Sequence, residues 1–166
     1  MIFLKTNEEI ELIRESSLLV GKTLAEVAKH IKPGVTTLEL DKVAEDFIRD
    51  HQAEPGFLGY GGFPNSLCTS VNEAVVHGIP NAKPLENGDI VSIDCGVLKN
   101  DFYGDSAYTF GIGEVSEEIK KLLEVTKECL NRSVAAAISG NRLGDIGFAC
   151  QSFAESNGYG VRSEER

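Results

Sequence analysis

The chain has 166 residues, 42% of them apolar and 25% charged, a composition typical of one globular domain with its own core. Its formal net charge of −10 disfavours nucleic acid and anionic membranes as direct partners, because both repel an acidic surface. The start MIFLKTNEEIE is not a secretory signal and no apolar run could span a bilayer, so we expect a cytoplasmic protein. The four cysteines form no C-x-x-C pair, so we expect them to be reduced thiols.

Two amphipathic helices are predicted in the first fifty residues. Thr6 and Glu9 form the pattern of a capping box, and inward positions then recur at steps of three and four until Pro33-Gly34: Ile10, Ile13, Ser17, Val20, Leu24, Val27 and Ile31. A second helix begins near Thr36 or Thr37, and its inward residues are Leu40, Val43, Phe47 and Ile48.

The middle of the chain is predicted to form loops and strands, and its end two more helices. A loop rich in glycine and proline spans residues 55–64, a short strand covers residues 67–71, and residues 72–80 are irregular. Residues 87–89, Asn-Gly-Asp, indicate a turn before a hairpin. The third helix begins at Ser116 and runs to about Ile138, and the fourth covers roughly residues 143–157.

Two aspartates, Asp94 and Asp105, lie in the strands of that hairpin, within SIDCGVLKNDFYGDSAYTF. If Lys99-Asn100 is the two-residue loop, the two aspartates face each other directly, whereas a turn shifted by one residue makes them diagonal neighbours. Opposed like charges destabilise a strand pair unless both side chains turn into water or a cation lies between them. For an isolated pair of aspartates in a hairpin, side chains that turn into water are the favoured arrangement, so a cation site needs further support from the rest of the chain.

One histidine differs from the other two in its surroundings. His77 lies in NEAVVHGIP, on irregular backbone of the kind that often holds catalytic groups. His30 and His51 lie near the polar ends of helices, so we expect them to be structural or exposed. His77 is therefore the candidate for a role in chemistry.

A faint internal repeat relates the two helix pairs. A shift of 106 residues aligns a few positions: Gly34 with Gly140, Glu39 with Asp145, Leu40 with Ile146, and Phe47 with Phe153. The first helix pair is followed by strands, whereas the second is followed only by residues 159–166. We therefore expect the chain to be incomplete.

Four stretches together resemble the type I methionine aminopeptidases: GFLGYGGFPNSLC, NEAVVHGIP, NGDIVSIDCGV and GDSAYTF. The resemblance runs from the first helix to about Arg162. It implies an α+β fold of the pita-bread type, with a curved antiparallel sheet and helices on one face. Residues 1–166 would be a single, incomplete catalytic domain, containing the first half of that fold and the two helices of the second half.

The resemblance implies a dinuclear metal site. Asp94 would chelate one divalent ion and Asp105 would bridge two, so that the cations offset the repulsion between the carboxylates. The ions would be Co, Mn, Fe or Zn, and such a pair activates water near neutral pH. His77 would be a catalytic, substrate-binding residue that donates a hydrogen bond to the peptide or to the tetrahedral intermediate.

The resemblance also implies a pocket for the methionine side chain, lined by Tyr60, Phe63 and Cys68. An alternative for these three residues is plain core packing. Asn72 matches a position near a monovalent cation site. Gly61 departs from the polar residue that many family members carry there and would open the mouth of the pocket. Cys95, beside the first aspartate, is expected in the core on the opposite face of the sheet.

The implied function is removal of the initiator methionine from nascent proteins, with the ribosome as the expected place of encounter. The family's metal site needs one further histidine and two glutamates, and no residue of this chain matches them, since Glu164 and Glu165 lie on a short polar tail. We therefore expect the chain as written to be inactive or nearly so. The alternative is a non-catalytic pita-bread module that binds peptides or proteins, which would have no physical need for paired carboxylates.

Overall fold

The computed structural model describes residues 3–161, so Arg162, Glu164 and Glu165 of the polar tail lie outside the described residues. The chain divides after Val115 into two compact units. No helix in the described part of the chain is long and apolar enough to cross a membrane.

Each unit has its own set of elements. The first contains α1 (Asn7–Ala28), α2 (Thr37–Asp50), β1 (Glu54–Pro55), β2 (Leu67–Val71), β3 (Ile90–Lys99) and β4 (Phe102–Gly111). The second contains α3 (Glu117–Ala136) and α4 (Leu143–Ser156). All four helices and the three longer strands were predicted, whereas the two-residue strand β1 was not.

Capping boxes start both helices of the first unit. The Glu9 amide donates to Thr6 Oγ1 at 3.2 Å, and the Thr6 amide donates to Glu9 Oε2 at 2.7 Å. Thr36 makes the same reciprocal bonds with Glu39 and is therefore the cap of α2. The prediction that α1 runs on to Pro33 was wrong, since the helix ends at Ala28.

The buried stripe of α1 also differs slightly from the prediction, since Ile10 and Ser17 are exposed and Ser16 is buried. The Ser16 hydroxyl lies 2.8 Å from the Phe102 carbonyl and 3.2 Å from the Lys99 carbonyl. The helix is thus rotated so that this serine binds the turn of the β3–β4 hairpin. Helical periodicity alone does not reveal such a contact between distant parts of the chain.

All strand pairs in the sheet are antiparallel, and β3 is its centre. β4 pairs along the whole of one edge of β3, while β1 and β2 share the other edge. Alternate residues of β3 are fully buried against α1 and α2: Val91, Ile93, Cys95 and Val97. The prediction that Cys95 is a core residue is confirmed, and Asp94 lies on the opposite face of the sheet because side chains alternate along a strand.

The hairpin forms the second of the two turns considered, shifted by one residue from Lys99-Asn100. Lys99 pairs with Phe102, so the two-residue turn is Asn100-Asp101. These two residues have φ of 51° and 65°, as a type I′ turn requires. Asn and Asp tolerate this left-handed conformation better than Lys does, which explains the position of the turn. The shifted register is the one that makes the two aspartates diagonal neighbours.

The second unit is a pair of helices with a small apolar cluster of its own. Ser116 caps α3 by accepting a hydrogen bond from the Ile119 amide at 3.3 Å. The cluster contains buried Val125, Cys129 and Ala154, with Cys150, Phe153 and Tyr159 packed against them. α3 ends at Ala136 and α4 at Ser156, close to the predicted ends.

Candidate functional site

The two aspartates lie on the face of the sheet that turns away from α1 and α2. Asp94 is paired with Ala107, and Asp105 with Gly96, so the carboxylates are diagonal neighbours on one face. Asp94 is half-buried and Asp105 is exposed. Burial, and then the neighbouring Asp105 carboxylate, raises the pKa of Asp94 to about 6, while the charge of His77 acts in the opposite direction. The pair is therefore electrostatically unfavourable without a cation.

His77 is held beside this pair by a strained loop. Its φ is 59°, in the left-handed region that a residue with a Cβ rarely adopts. The next residue, Gly78, donates to Ser70 Oγ at 3.1 Å and accepts from the Thr69 amide at 2.8 Å. A Cβ at Gly78 would lie 2.2 Å from the Thr69 carbonyl oxygen, so only glycine permits this contact. The loop is thus fastened to β2, and the imidazole stays exposed on the side of the aspartates.

Cys68 is the predicted pocket residue that the sheet places closest to the aspartates. It pairs directly with Asp94 across β2 and β3, and only 7% of it is exposed. Burial, followed by the nearby carboxylates, raises the pKa of the Cys68 thiol to about 11. The thiol is therefore protonated at neutral pH and presents a soft, nearly apolar surface beside the charged pair.

The other two predicted pocket residues lie in the glycine-rich loop. Tyr60 begins a short 3₁₀ turn and is 79% exposed, while Phe63 follows that turn and is half-buried. Gly61 has a φ of 56° within the same turn. The structure thus brings Cys68 to the aspartates and leaves Tyr60 on the surface of the loop.

Asn72 has a structural role that its sequence position did not reveal. Its side-chain amide donates to Asp89 Oδ1 at 2.8 Å, and its side-chain oxygen accepts from the Ile90 amide at 3.0 Å. It therefore connects the end of β2 to the start of β3. The link between Asn72 and a monovalent cation stays a prediction.

Two residues that shape the site were not predicted. Asp41 of α2 is 6% exposed and accepts hydrogen bonds from the amides of Ser66 and Leu67 at 2.9 and 2.8 Å. It thus fixes the chain as it enters β2, one residue before Cys68. Asp41 lies on the buried face of α2, one turn before Ala44. A charged residue at a buried position of the helical period could have marked it as a structural residue from the sequence.

Phe57 is the second residue that the sequence did not single out. Its ring covers Gly96, where a Cβ would come within 2.5 Å of a ring carbon. Because Gly96 pairs with Asp105, the ring lies next to the carboxylate pair. The close packing of an aromatic ring on a strand glycine is a tertiary contact with no local sequence signal.

The carboxylate pair suits a hard or borderline divalent cation. Both donors are carboxylate oxygens on one face, and a cation between them would remove the repulsion that raises the pKa of Asp94. Within residues 3–161, however, no group of three or more His, Cys, Asp and Glu side chains is placed to hold a metal ion. This part of the chain therefore offers a partial metal site.

Comparison with known proteins gives a consistent match. Residues 11–165 match the model of metallopeptidase family M24. The chain is 53% identical over 162 residues to the methionine aminopeptidase of Clostridium acetobutylicum and 47% identical over 164 residues to methionine aminopeptidase 1 of Bacillus subtilis. The matches cover 97% and 99% of this chain, but only 65% and 66% of those relatives.

A solved structure shows the same relationship. The crystal structure of methionine aminopeptidase from Rickettsia prowazekii superimposes with a TM-score of 0.97 at 41% identity, covering 99% of this chain and 66% of that one. The chain thus spans just under two thirds of the length of the proteins it resembles.

Proposed function

The chain belongs to metallopeptidase family M24, with its pita-bread fold, and we propose that its function is that of a methionine aminopeptidase, the removal of the initiator methionine from nascent proteins. One observation carries the proposal: Asp94 and Asp105 lie together on one face of the sheet, beside His77. A half-buried carboxylate beside a second carboxylate costs stability, and a sheet with a purely structural role would not need this pair.

The proposed cofactor is a pair of divalent ions. Asp94 would hold one of these ions, and Asp105 would be a ligand shared by both. Carboxylate oxygens accept Co, Mn, Fe and Zn, so the two donors fit this group of metals. When bound, such ions act as Lewis acids and lower the pKa of water. A divalent cofactor agrees with the metallopeptidase family, while the number of ions and their identity belong to the proposal.

The remaining site residues bind and orient the substrate. His77 donates a hydrogen bond to the oxygen of the scissile peptide group, and the loop attached to Ser70 holds its imidazole in place. Cys68, Tyr60 and Phe63 receive the methionine side chain. A protonated thiol and two aromatic rings suit a polarizable thioether.

The proposed partners are the free N-terminal methionine peptides of nascent chains, met at the ribosome in the cytoplasm. The net charge of −10 supports a protein that does not itself bind nucleic acid or a membrane. Residues 1–166 are proposed to belong to one catalytic domain, of which both compact units are parts.

These 166 residues are expected to bind metal weakly and to turn over little or no substrate by themselves. Two carboxylates leave a divalent ion largely hydrated, and a two-ion cluster needs more protein donors to fix its geometry. In the described part of the chain no third donor joins Asp94 and Asp105. The metal-binding step can therefore be tested separately from catalysis.

Titration with Mn²⁺ tests the metal site, because a bound paramagnetic ion broadens nearby NMR signals. We expect the amide signals of residues flanking Asp94 and Asp105 to broaden first in the ¹⁵N-labelled chain, and the effect to vanish in D105A. The control is D46A, which removes an exposed carboxylate of α2 with the same change in charge. Broadening that is centred elsewhere, or that persists in D105A, would contradict the proposal.

A peptide assay separates the enzyme lineage from the alternative of a non-catalytic binding module. With Mn²⁺ or Co²⁺ present, we expect little or no release of methionine from Met-Ala-Ser by these 166 residues. We also expect Met-Ala-Ser to shift the NMR signals around Cys68 more than Gly-Ala-Ser does. Binding of both peptides alike, unaffected by metal and by D105A, would favour the binding module.

A further inference from the structure

Two of the four free cysteines lie side by side, far along the chain from the carboxylate pair. Cys129 of α3 donates a hydrogen bond from its thiol to the Cys150 carbonyl of α4 at 3.6 Å. The Cys150 side chain is also close enough to raise the pKa of the Cys129 thiol, an effect second to that of burial. The sequence showed only widely spaced cysteines, and the packing of the second unit brings these two together.

The interface between α3 and α4 consists of small side chains around the two cysteines. Val125 and Cys129 are one turn apart on α3, and Cys150 and Ala154 are one turn apart on α4. Residues four apart lie on the same face of a helix, so these short side chains form two facing rows. Small residues allow two helix backbones to approach closely, which a disulfide between helices requires.

We propose that Cys129 and Cys150 form a reversible dithiol–disulfide site that covalently joins α3 to α4 when a low-molecular-weight disulfide, such as oxidised glutathione, is present. In the first step the Cys150 thiolate attacks the oxidant, a sulfur–sulfur bond forms, and one glutathione thiolate leaves. In the second step the Cys129 thiolate attacks the Cys150 sulfur of this mixed disulfide, and the second glutathione thiolate leaves. Two thiols lose two electrons and two protons, and the oxidant is reduced to two thiols.

The surroundings of the two thiols assign the order of these steps. Cys150 is half-buried and accessible to a small oxidant, whereas only 6% of Cys129 is exposed. Burial raises the pKa of the Cys129 thiol, while the Arg132 guanidinium opposes this rise. Arg132 lies one turn after Cys129, with its guanidinium 3.9 Å from the centre of the Phe153 ring. Its positive charge is near the thiol pair and is partly offset by the Glu128 carboxylate, which lies 2.8 Å from Arg132 Nε.

Peptide mapping after oxidation tests the proposal directly. We would incubate the folded 166-residue chain with oxidised glutathione, block the remaining thiols and digest with trypsin. Tryptic cleavage places Cys129 in the peptide 128–132 and Cys150 in the peptide 143–162, whereas Cys68 and Cys95 share the peptide 50–99. We expect a cross-link between the first two peptides, and dithiothreitol should release it.

The other two cysteines are an internal control in the same sample. Cys68 lies on the face of the sheet with Asp94, and Cys95 lies on the opposite face, so these two thiols cannot bridge. They should stay reduced and carry the blocking group. A glutathione adduct that persists on Cys150 without closure, a dimer linked through Cys150, or oxidation of Cys68 or Cys95 before the helix pair would each overturn the proposal.

Single variants give a second readout. Oxidation should raise the melting temperature of the wild-type chain by about 5 °C, because the bridge restrains the unfolded chain, and reduction should reverse the change. C129S and C150S should show no such rise, while both retain a small buried or half-buried side chain. An equal rise in either variant, or no rise in the wild type once the cross-link is formed, would contradict a bridge between the helices.

Discussion

Asp94 and Asp105 are diagonal neighbours across the β3–β4 hairpin, and the residue directly opposite each has a minimal side chain, Ala107 and Gly96. This arrangement leaves space between the two carboxylates on the open face of the sheet. It keeps them close enough for the charge of Asp105 to raise the pKa of Asp94. A cation bound between the two carboxylates would therefore relieve their repulsion and stabilise the hairpin.

Replacing one carboxylate should stabilise the metal-free chain. D94N removes a half-buried charge and its repulsion from Asp105, so we expect the free energy of unfolding to rise by about 0.5–1 kcal/mol. Urea denaturation in the presence of a chelator measures this change. D46N, at an exposed carboxylate of α2, is the matched control and should not be stabilised. A destabilised D94N would mean that the carboxylate has a structural role.

The same aspartate should make stability depend on pH. The pKa of Asp94 is raised to about 6 in the folded chain, against about 4 in an unfolded one. A raised carboxyl pKa means that the folded state favours the proton. The contribution of Asp94 is therefore most favourable below pH 4 and is lost as the pH rises through about 6.

The difference in unfolding free energy between D94N and the wild type isolates this group from the other carboxylates. We expect the difference to be small at pH 4 and to increase towards pH 7, in metal-free buffer. A difference that is constant across this range would show that the pKa of Asp94 is not raised.

The backbone of His77 supports a comparison of two variants. H77A keeps the left-handed strain of a residue with a Cβ, whereas H77G removes it. We expect H77G to be more stable than H77A by about 1 kcal/mol in thermal or urea unfolding. Equal stabilities would indicate that residue 77 leaves the left-handed region once the imidazole is removed.

Asp41 should contribute more to stability than an ordinary helix carboxylate. D41A leaves the buried amides of Ser66 and Leu67 without their acceptor, which should cost about 3 kcal/mol. D41N retains one oxygen for these amides and loses mainly the bond from Asn65, so its cost should be about 1 kcal/mol. Urea denaturation measures the free energy of unfolding of both variants. Equal losses of stability would contradict the assignment of one Asp41 oxygen to the two amides and the other to Asn65.

Local patterns were sufficient for most of the secondary structure. Thr6 with Glu9 marks the start of α1, and Asn-Gly-Asp at residues 87–89 marks the turn before β3, because caps and turns depend on residues close in sequence. The resemblance to the family rested on short motifs around His77 and the two aspartates, and the family itself is confirmed. The roles of the individual site residues stay predictions.

The sequence by itself determined the order of the four helices and the three longer strands, the family, and the positions of the two aspartates in a hairpin. Only the tertiary structure decided which distant residues come into contact. It set the register that makes Asp94 and Asp105 diagonal neighbours, the hydrogen bonds between Asp41 and the start of β2, and the contact of Cys129 with Cys150. The physical reason is that side-chain periodicity reports which face of an element is buried. It does not report which distant element covers that face, because such contacts depend on the packing of the whole unit.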